Sequence, residues 1–224
     1  VTLRLVRLLQ LASPALPVGS YSYSQGLEAA VEAGVVTDAA TAQRWLGDLL
    51  DHVLPHGELA VLARLLRAVP DDAPAFDAWH TWWRCARETR ELRAESEQMG
   101  TAMAAWMRET DTLHASLRDW PARNAPLMWP AAYALACHGD GVTCEDALAA
   151  YAFAWLENQV LAALKLVPLG QAAGQRMLRT LAGRIPAAVE RALCVHDDDV
   201  ANFSPGLALA SAHHETQYSR LFRS

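Results

Sequence analysis

The chain has 224 residues, of which 52% are hydrophobic and 20% charged, with a formal net charge of −6. Apolar content at that length excludes a disordered chain and suffices for a large core. The acidic balance excludes a nucleic-acid binder that works by neutralising phosphates.

Ala and Leu dominate, and β-branched residues never alternate over a strand length, so the expected class is all-α. Cys85, Cys137, Cys144 and Cys194 lie far apart with no C-x-x-C pair, which fits reduced thiols better than disulfides or a zinc site. The opening VTLRLVRLLQ lacks a long apolar stretch and a small-residue cleavage site, so the expected location is cytoplasmic.

In chain order, residues 3–12 place Leu5, Leu8, Leu9 and Ala12 on one face of a short helix. Pro14, Pro17 and Gly19 make the next stretch a rigid connection, and a helix is expected from near Ser24 to Gly34. No G-x-S-x-G elbow accompanies the serines, which read as helix caps rather than nucleophiles. Thr37 is the expected cap of an amphipathic helix carrying Ala42, Trp45, Leu46, Leu49, Leu50 and Val53. His52 and His56 are four apart, but Pro55 interrupts that turn, so they are not read as a metal pair.

Further helices are expected over 58–68 and around Phe76, Trp79, Trp82 and Trp83, aromatic residues that read as core. The charged stretch 84–109 offers Arg84/Glu88, Arg87/Glu91 and Arg93/Glu97 as i, i+4 pairs. Prolines at 121, 126 and 130 mark the expected mobile link.

The run ALAAYAFAWLENQVLAALKLVPLG (147–170) organises the whole pattern. Thr143 and Asp146 start it, Pro168 and Gly170 stop it, and Glu157, Asn158, Gln159 and Lys165 break it below the length of a membrane span. Lys165 is the chain's single lysine. Positions seven apart nearly eclipse on a helix, so Tyr151, Asn158 and Lys165 form one polar stripe flanked by Glu157. An ammonium there must reach a partner or open to a surface. Two more helices follow, near 171–182 and 186–194. Asp197–Asp199 read as a solvated acidic loop, and Ser204-Pro205 start a last helix. The terminal HHETQYSRLFRS mixes aromatic, aliphatic and Arg residues in a composition that favours docking.

Four stretches together resemble the UreF family of urease accessory proteins: LASPALPVGSYSYSQGLE (11–28), RETRELRAESEQMG (87–100), KLVPLGQ (165–171) and HETQYSRLFRS (214–224). The resemblance implies one all-helical domain over 1–224, a bundle of about ten helices around a central apolar helix. It implies a non-catalytic, homodimeric chaperone or scaffold that binds UreD (also called UreH) and recruits the nickel-carrying GTPase UreG. Together these load nickel into the urease apoprotein, with GTP hydrolysis coupled to delivery. Residue by residue, it makes Glu28, Glu91 and Lys165 candidate contacts for the GTPase. Tyr218, Leu221 and Phe222 become anchors for UreD, with Arg220 and Arg223 fixing register and 213–224 forming the docking tail. Neither a catalytic residue nor a metal ligand is implied, and nickel is cargo of the complex rather than a cofactor. His213 and His214 are adjacent on a helix and point about 100° apart, so they are not read as sharing an ion.

The competing reading is a helical enzyme using Tyr151, Glu157, Asn158 and Lys165. It requires a closed pocket around Lys165, whereas a scaffold requires an exposed ammonium on a surface.

Overall fold

Helix boundaries follow start and stop chemistry that is mostly local. The computed structural model describes residues 3–113, 117–124 and 126–224. Its helices are α1 Leu3–Leu11, α2 Leu27–Glu32, α3 Ala39–Asp48, α4 Glu58–Ala68, α5 Ala73–Ala86 and α6 Arg90–Glu109. They continue as α7 Trp120–Arg123, α8 Trp129–Gly139, α9 Cys144–Leu166, α10 Gln171–Ala182, α11 Ile185–Cys194 and α12 Pro205–His214. No strand occurs among the described residues. The all-α expectation holds.

Several expected boundaries move for identifiable reasons. Asp38, not Thr37, caps α3: its carboxylate accepts from the Thr41 N–H at 2.8 Å while the Thr41 hydroxyl accepts from the Asp38 N–H at 2.9 Å. That reciprocal box satisfies two N–H groups at once, which Thr37 cannot do. α2 begins after Gly26 rather than at Ser24, because Gln25 and Gly26 both adopt positive φ, at 52° and 79°. Left-handed residues cannot continue a helix. The charged stretch 84–109 is cut by extended backbone at Arg87 and Thr89, so α5 and α6 are separate. The break removes the expected Arg84/Glu88 and Arg87/Glu91 pairs; inside α6, Glu97 instead meets Arg84 at 3.2 Å across the two helices, and Arg87 and Arg93 donate to backbone carbonyls. The expected link 119–130 carries α7 and the start of α8, and Ala125 lies outside the described residues.

One apolar core runs from Leu11 to Phe222. α9 threads it, touching α1, α2, α3, α4, α10 and α11. By length and composition α9 could cross a membrane, yet half of its most apolar window is buried inside the protein, as in a core helix. The helices enclosed on nearly all sides are α4, buried from Glu58 to Arg64 and on to Leu65, and α8, buried from Pro130 to Cys137. α1 lies at the edge against α9, burying Leu11 and leaving Leu5 and Leu9 exposed.

α6 and α8 approach closely at Gly100, where an added Cβ would sit 1.9 Å from the Leu127 carbonyl oxygen and 2.7 Å from Met128 carbon. Nearby, the Trp129 N–H donates to the Ser96 hydroxyl (3.1 Å) and the Met128 N–H to His80 Nε2 (3.1 Å). Donors at the start of α8 are thus satisfied in the interior. Burial holds His80 below the usual imidazole range, which suits the acceptor role of Nε2.

Because the obstacle at Gly100 is backbone, Gly100→Ala should cost about 3 kcal/mol, a fall in Tm of roughly 6–12 °C measured by calorimetry. An unchanged Tm would mean that α6 and α8 can separate freely.

Candidate functional site

The segment after α12 turns back and lies across α2, α6 and the carboxyl end of α9. Two buried carboxylates hold it. Glu28, on α2, accepts from the Leu221 N–H at 2.6 Å and the Phe222 N–H at 2.9 Å. Glu91, on α6, accepts from Arg220 Nη1 at 2.7 Å. Between them sits His214, fully buried, with Nε2 3.1 Å from Glu28 and Nδ1 2.6 Å from Glu91. Both ring nitrogens face carboxylate oxygens, so the imidazole links the two acidic side chains. A buried carboxylate is tolerated only with such donors.

The sequence places these groups through local rules. Gly26 takes its positive φ where α12 passes closest: an added Cβ would meet Ala210 Cβ at 3.2 Å. Pro205 at the start of α12 fixes its entry. Glu215 accepts from the N–H groups of Arg90 and Glu91 at 2.9 and 3.3 Å, a carboxylate seated on the amino end of α6. The hydroxyls of Thr89 and Ser211 meet at 2.7 Å beside it.

Farther along, the Ser224 carbonyl oxygen accepts from the Ser24 N–H (2.7 Å), the Gln25 N–H (3.1 Å) and the Ser24 hydroxyl (2.5 Å). The Ser224 hydroxyl donates to Glu95 at 2.8 Å, and Gln25 Nε2 donates to the same carboxylate at 2.6 Å. Burial, opposed in part by Arg87, Gln25 and Ser224, pushes the Glu95 carboxyl up to about 7.

Lys165 is exposed, and its ammonium lies 5.3 Å from the centroid of the Phe222 ring, which is buried beneath it. The cation rests on an aromatic face rather than in a pocket. The polar stripe of α9 forms, but its members go to different partners. Tyr151 donates to Glu58 at 2.5 Å, and burial and that carboxylate push its phenol well up. Asn158 donates to the Tyr23 carbonyl at 3.2 Å, and Glu157 is half-buried with its carboxyl raised by burial. Tyr151 and Asn158 line a small hollow of about 50 Å³ that neither Glu157 nor Lys165 reaches. The four residues do not converge on one reacting position.

Glu28, Glu91 and Lys165 therefore do share a neighbourhood, but the two glutamates are only 7% and 9% exposed under the tail while Lys165 is open. Within the tail, Tyr218 and Leu221 are fully or largely exposed, Phe222 is buried, and Arg220 and Arg223 are exposed with contacts to Glu91 and Gln98. Sequence reasoning missed His214, Glu95 and Gln25 as organisers. Their partners lie far away along the chain, and only the strained SQG turn offered a local signal.

Residues 36–182 match the family model described as UreF. The chain is 50% identical to the urease accessory protein UreF of Azoarcus sp. (strain BH72), over 99% of this chain and 96% of that protein. It is 50% identical to the protein of the same name from Methylibium petroleiphilum, over 98% and 94%, and 48% identical to that of Cupriavidus taiwanensis, over 99% and 98%.

Removing the imidazole in His214→Ala leaves two carboxylates facing each other, so the tail should loosen. Amide exchange at 221 and 222 should accelerate roughly tenfold or more while α4 and α8 keep their protection. Equal protection at 221 and 222 would show that the imidazole is dispensable. For Glu95, an ordinary carboxyl titrates near 4.5 but the folded one holds its proton to about 7. The folded state binds more protons in that window, so stability should fall as pH rises from 4.5 to 7, by on the order of 3 kcal/mol, and stay level above it. Denaturation of Glu95→Gln across the same window should show a flattened profile, and a slope equal to the parent's would assign the dependence elsewhere.

Proposed function

Because the chain belongs to the UreF family of urease accessory proteins, we propose that it is a non-catalytic scaffold of urease maturation, joining UreD (UreH) to the GTPase UreG while nickel is loaded into the urease apoprotein. It acts in the cytoplasm as a homodimer, and GTP hydrolysis by the partner is coupled to delivery of the metal. The observation that carries this reading is the seated tail: its fixed side is buried on Glu28 and Glu91, and its free side presents apolar groups to the outside.

Tyr218 and Leu221 contact UreD, since large apolar groups held outward on ordered backbone suit an interface anchor. Arg220 and Arg223 fix the register of that contact, and Phe222 supports it from below. An open apolar groove beside the tail, bordered by Trp45, His213 and Gln217, extends the same face. Lys165 offers its ammonium to the GTPase. Glu28 and Glu91 contribute to that surface through the tail they hold, which keeps Phe222 under Lys165. An exposed lysine with its ammonium over an aromatic ring favours recognition over a lysine nucleophile, which needs a closed pocket.

Lys165→Ala, co-expressed with the other urease genes, should lower urease activity and bound nickel at least tenfold, an effect of about 1.4 kcal/mol or more on a coupling step, with the Tm unchanged. Truncation before His214 should abolish co-purification with UreD. Normal nickel content in urease matured with Lys165→Ala would remove the lysine from the mechanism, and retained UreD binding by the truncated chain would remove the tail.

A further inference from the structure

On a different part of the surface, α5, α6 and α7 enclose an open hollow of about 540 Å³ into which three elements each bring an arginine: Arg84 from α5, Arg93 from α6 and Arg123 from α7. Thr81 and Asn124 complete much of its polar lining, and no carboxylate is among the lining residues. In a chain of net charge −6, three arginines lining one hollow outnumber the two carboxylates paired with them, Glu97 and Asp77, and leave a local positive excess.

Their existing bonds leave most of their donors over. Arg84 engages Glu97 through Nε alone, at 3.2 Å. Arg123 gives Nη2 to Asp77 at 2.8 Å, with its carbon 6.0 Å from the Trp120 ring centroid. Arg93 gives Nη2 to the Arg87 carbonyl at 3.1 Å, and its Nε is buried with no acceptor. A guanidinium has five N–H donors, and a buried one without a partner costs free energy until an acceptor arrives. Glu97 and Asp77 thus orient two of the forks while compensating only part of the charge.

We propose that this hollow binds a phosphate group, free or carried on a small molecule. Three arginines from three helices around one hollow suit a tetrahedral acceptor with several oxygens better than a planar carboxylate, which two forks would saturate. The hollow's volume falls in the range of small-molecule sites, so more than the anion itself fits. The site is remote in sequence from the tail and from Lys165, and it stands or falls independently of the partner contacts proposed above.

Calorimetric titration of the full chain tests it, with inorganic phosphate and a phosphomonoester (glycerol 3-phosphate) as probes and ionic strength held constant with chloride. Saturable binding of either probe is expected, weakened at least tenfold by Arg84→Gln and partly restored by Arg84→Lys, with the tighter probe identifying the source of the phosphate group. Arg84 is half-exposed and its pair with Glu97 is a surface one, so Arg84→Gln should keep the parent's melting curve. Arg123→Gln serves as a second variant should it not. Heats that never saturate, or equal binding by the parent and both variants, would overturn the proposal.

Discussion

Two acidic side chains shut away from water set the terms for this fold. Burying the Glu28 and Glu91 side chains is costly without hydrogen-bond donors, and their donors lie far along the chain. The donors come from the last stretch of the chain: an imidazole, a guanidinium and two backbone N–H groups. Satisfying the carboxylates and fixing the tail are therefore one event. The path of α12, the left-handed turn at Gln25-Gly26 and the burial of Phe222 all depend on it.

The rest of the architecture makes that event possible by bringing α2, α6 and α9 within reach of one another. Gly100 lets α6 sit directly on the start of α8, and Gly26 lets α12 sit on α2. Glycine is used at these two places because backbone or a tightly packed methyl group occupies the position of a side chain. Aromatic residues then fill the wider gaps, as where Phe76 and Trp120 rings lie 4.8 Å apart and where Tyr133 and Tyr151 meet edge to face at 5.0 Å.

Much of this was legible in the sequence wherever the signal is local. The bounds of α4, α9 and α10 follow from apolar periodicity and from Thr143, Pro168 and Gly170, because helix starts and stops are decided within a turn or two. The break at Arg87–Thr89 was not legible. Its i, i+4 charge pattern looks helical and masks the one local signal, Thr89 accepting from the Leu92 N–H as the cap of α6; Arg87 over Trp83 and Thr89 on Ser211 are tertiary contacts at the same break. The tail's tendency to dock could be read from its composition, and the exposure of Lys165 from the cost of burying it. That the tail docks on its own chain, through Glu28 and Glu91, depends on contacts spanning well over a hundred residues, and periodicity carries no such information.

The bond between Ser24 and Ser224 also bears on the order in which the molecule assembles. It closes a loop of about 200 residues, and closure entropy grows with loop length while the reward is only a few hydrogen bonds. The α4–α5 and α6–α8 pairs join segments much closer in sequence and can form without waiting for it. The turn at Ser24–Gly26 and the surface around Lys165 are then the last parts of the molecule to become native. A chain with a finished interior still lacks the surface formed by Lys165 and Phe222 until the tail arrives.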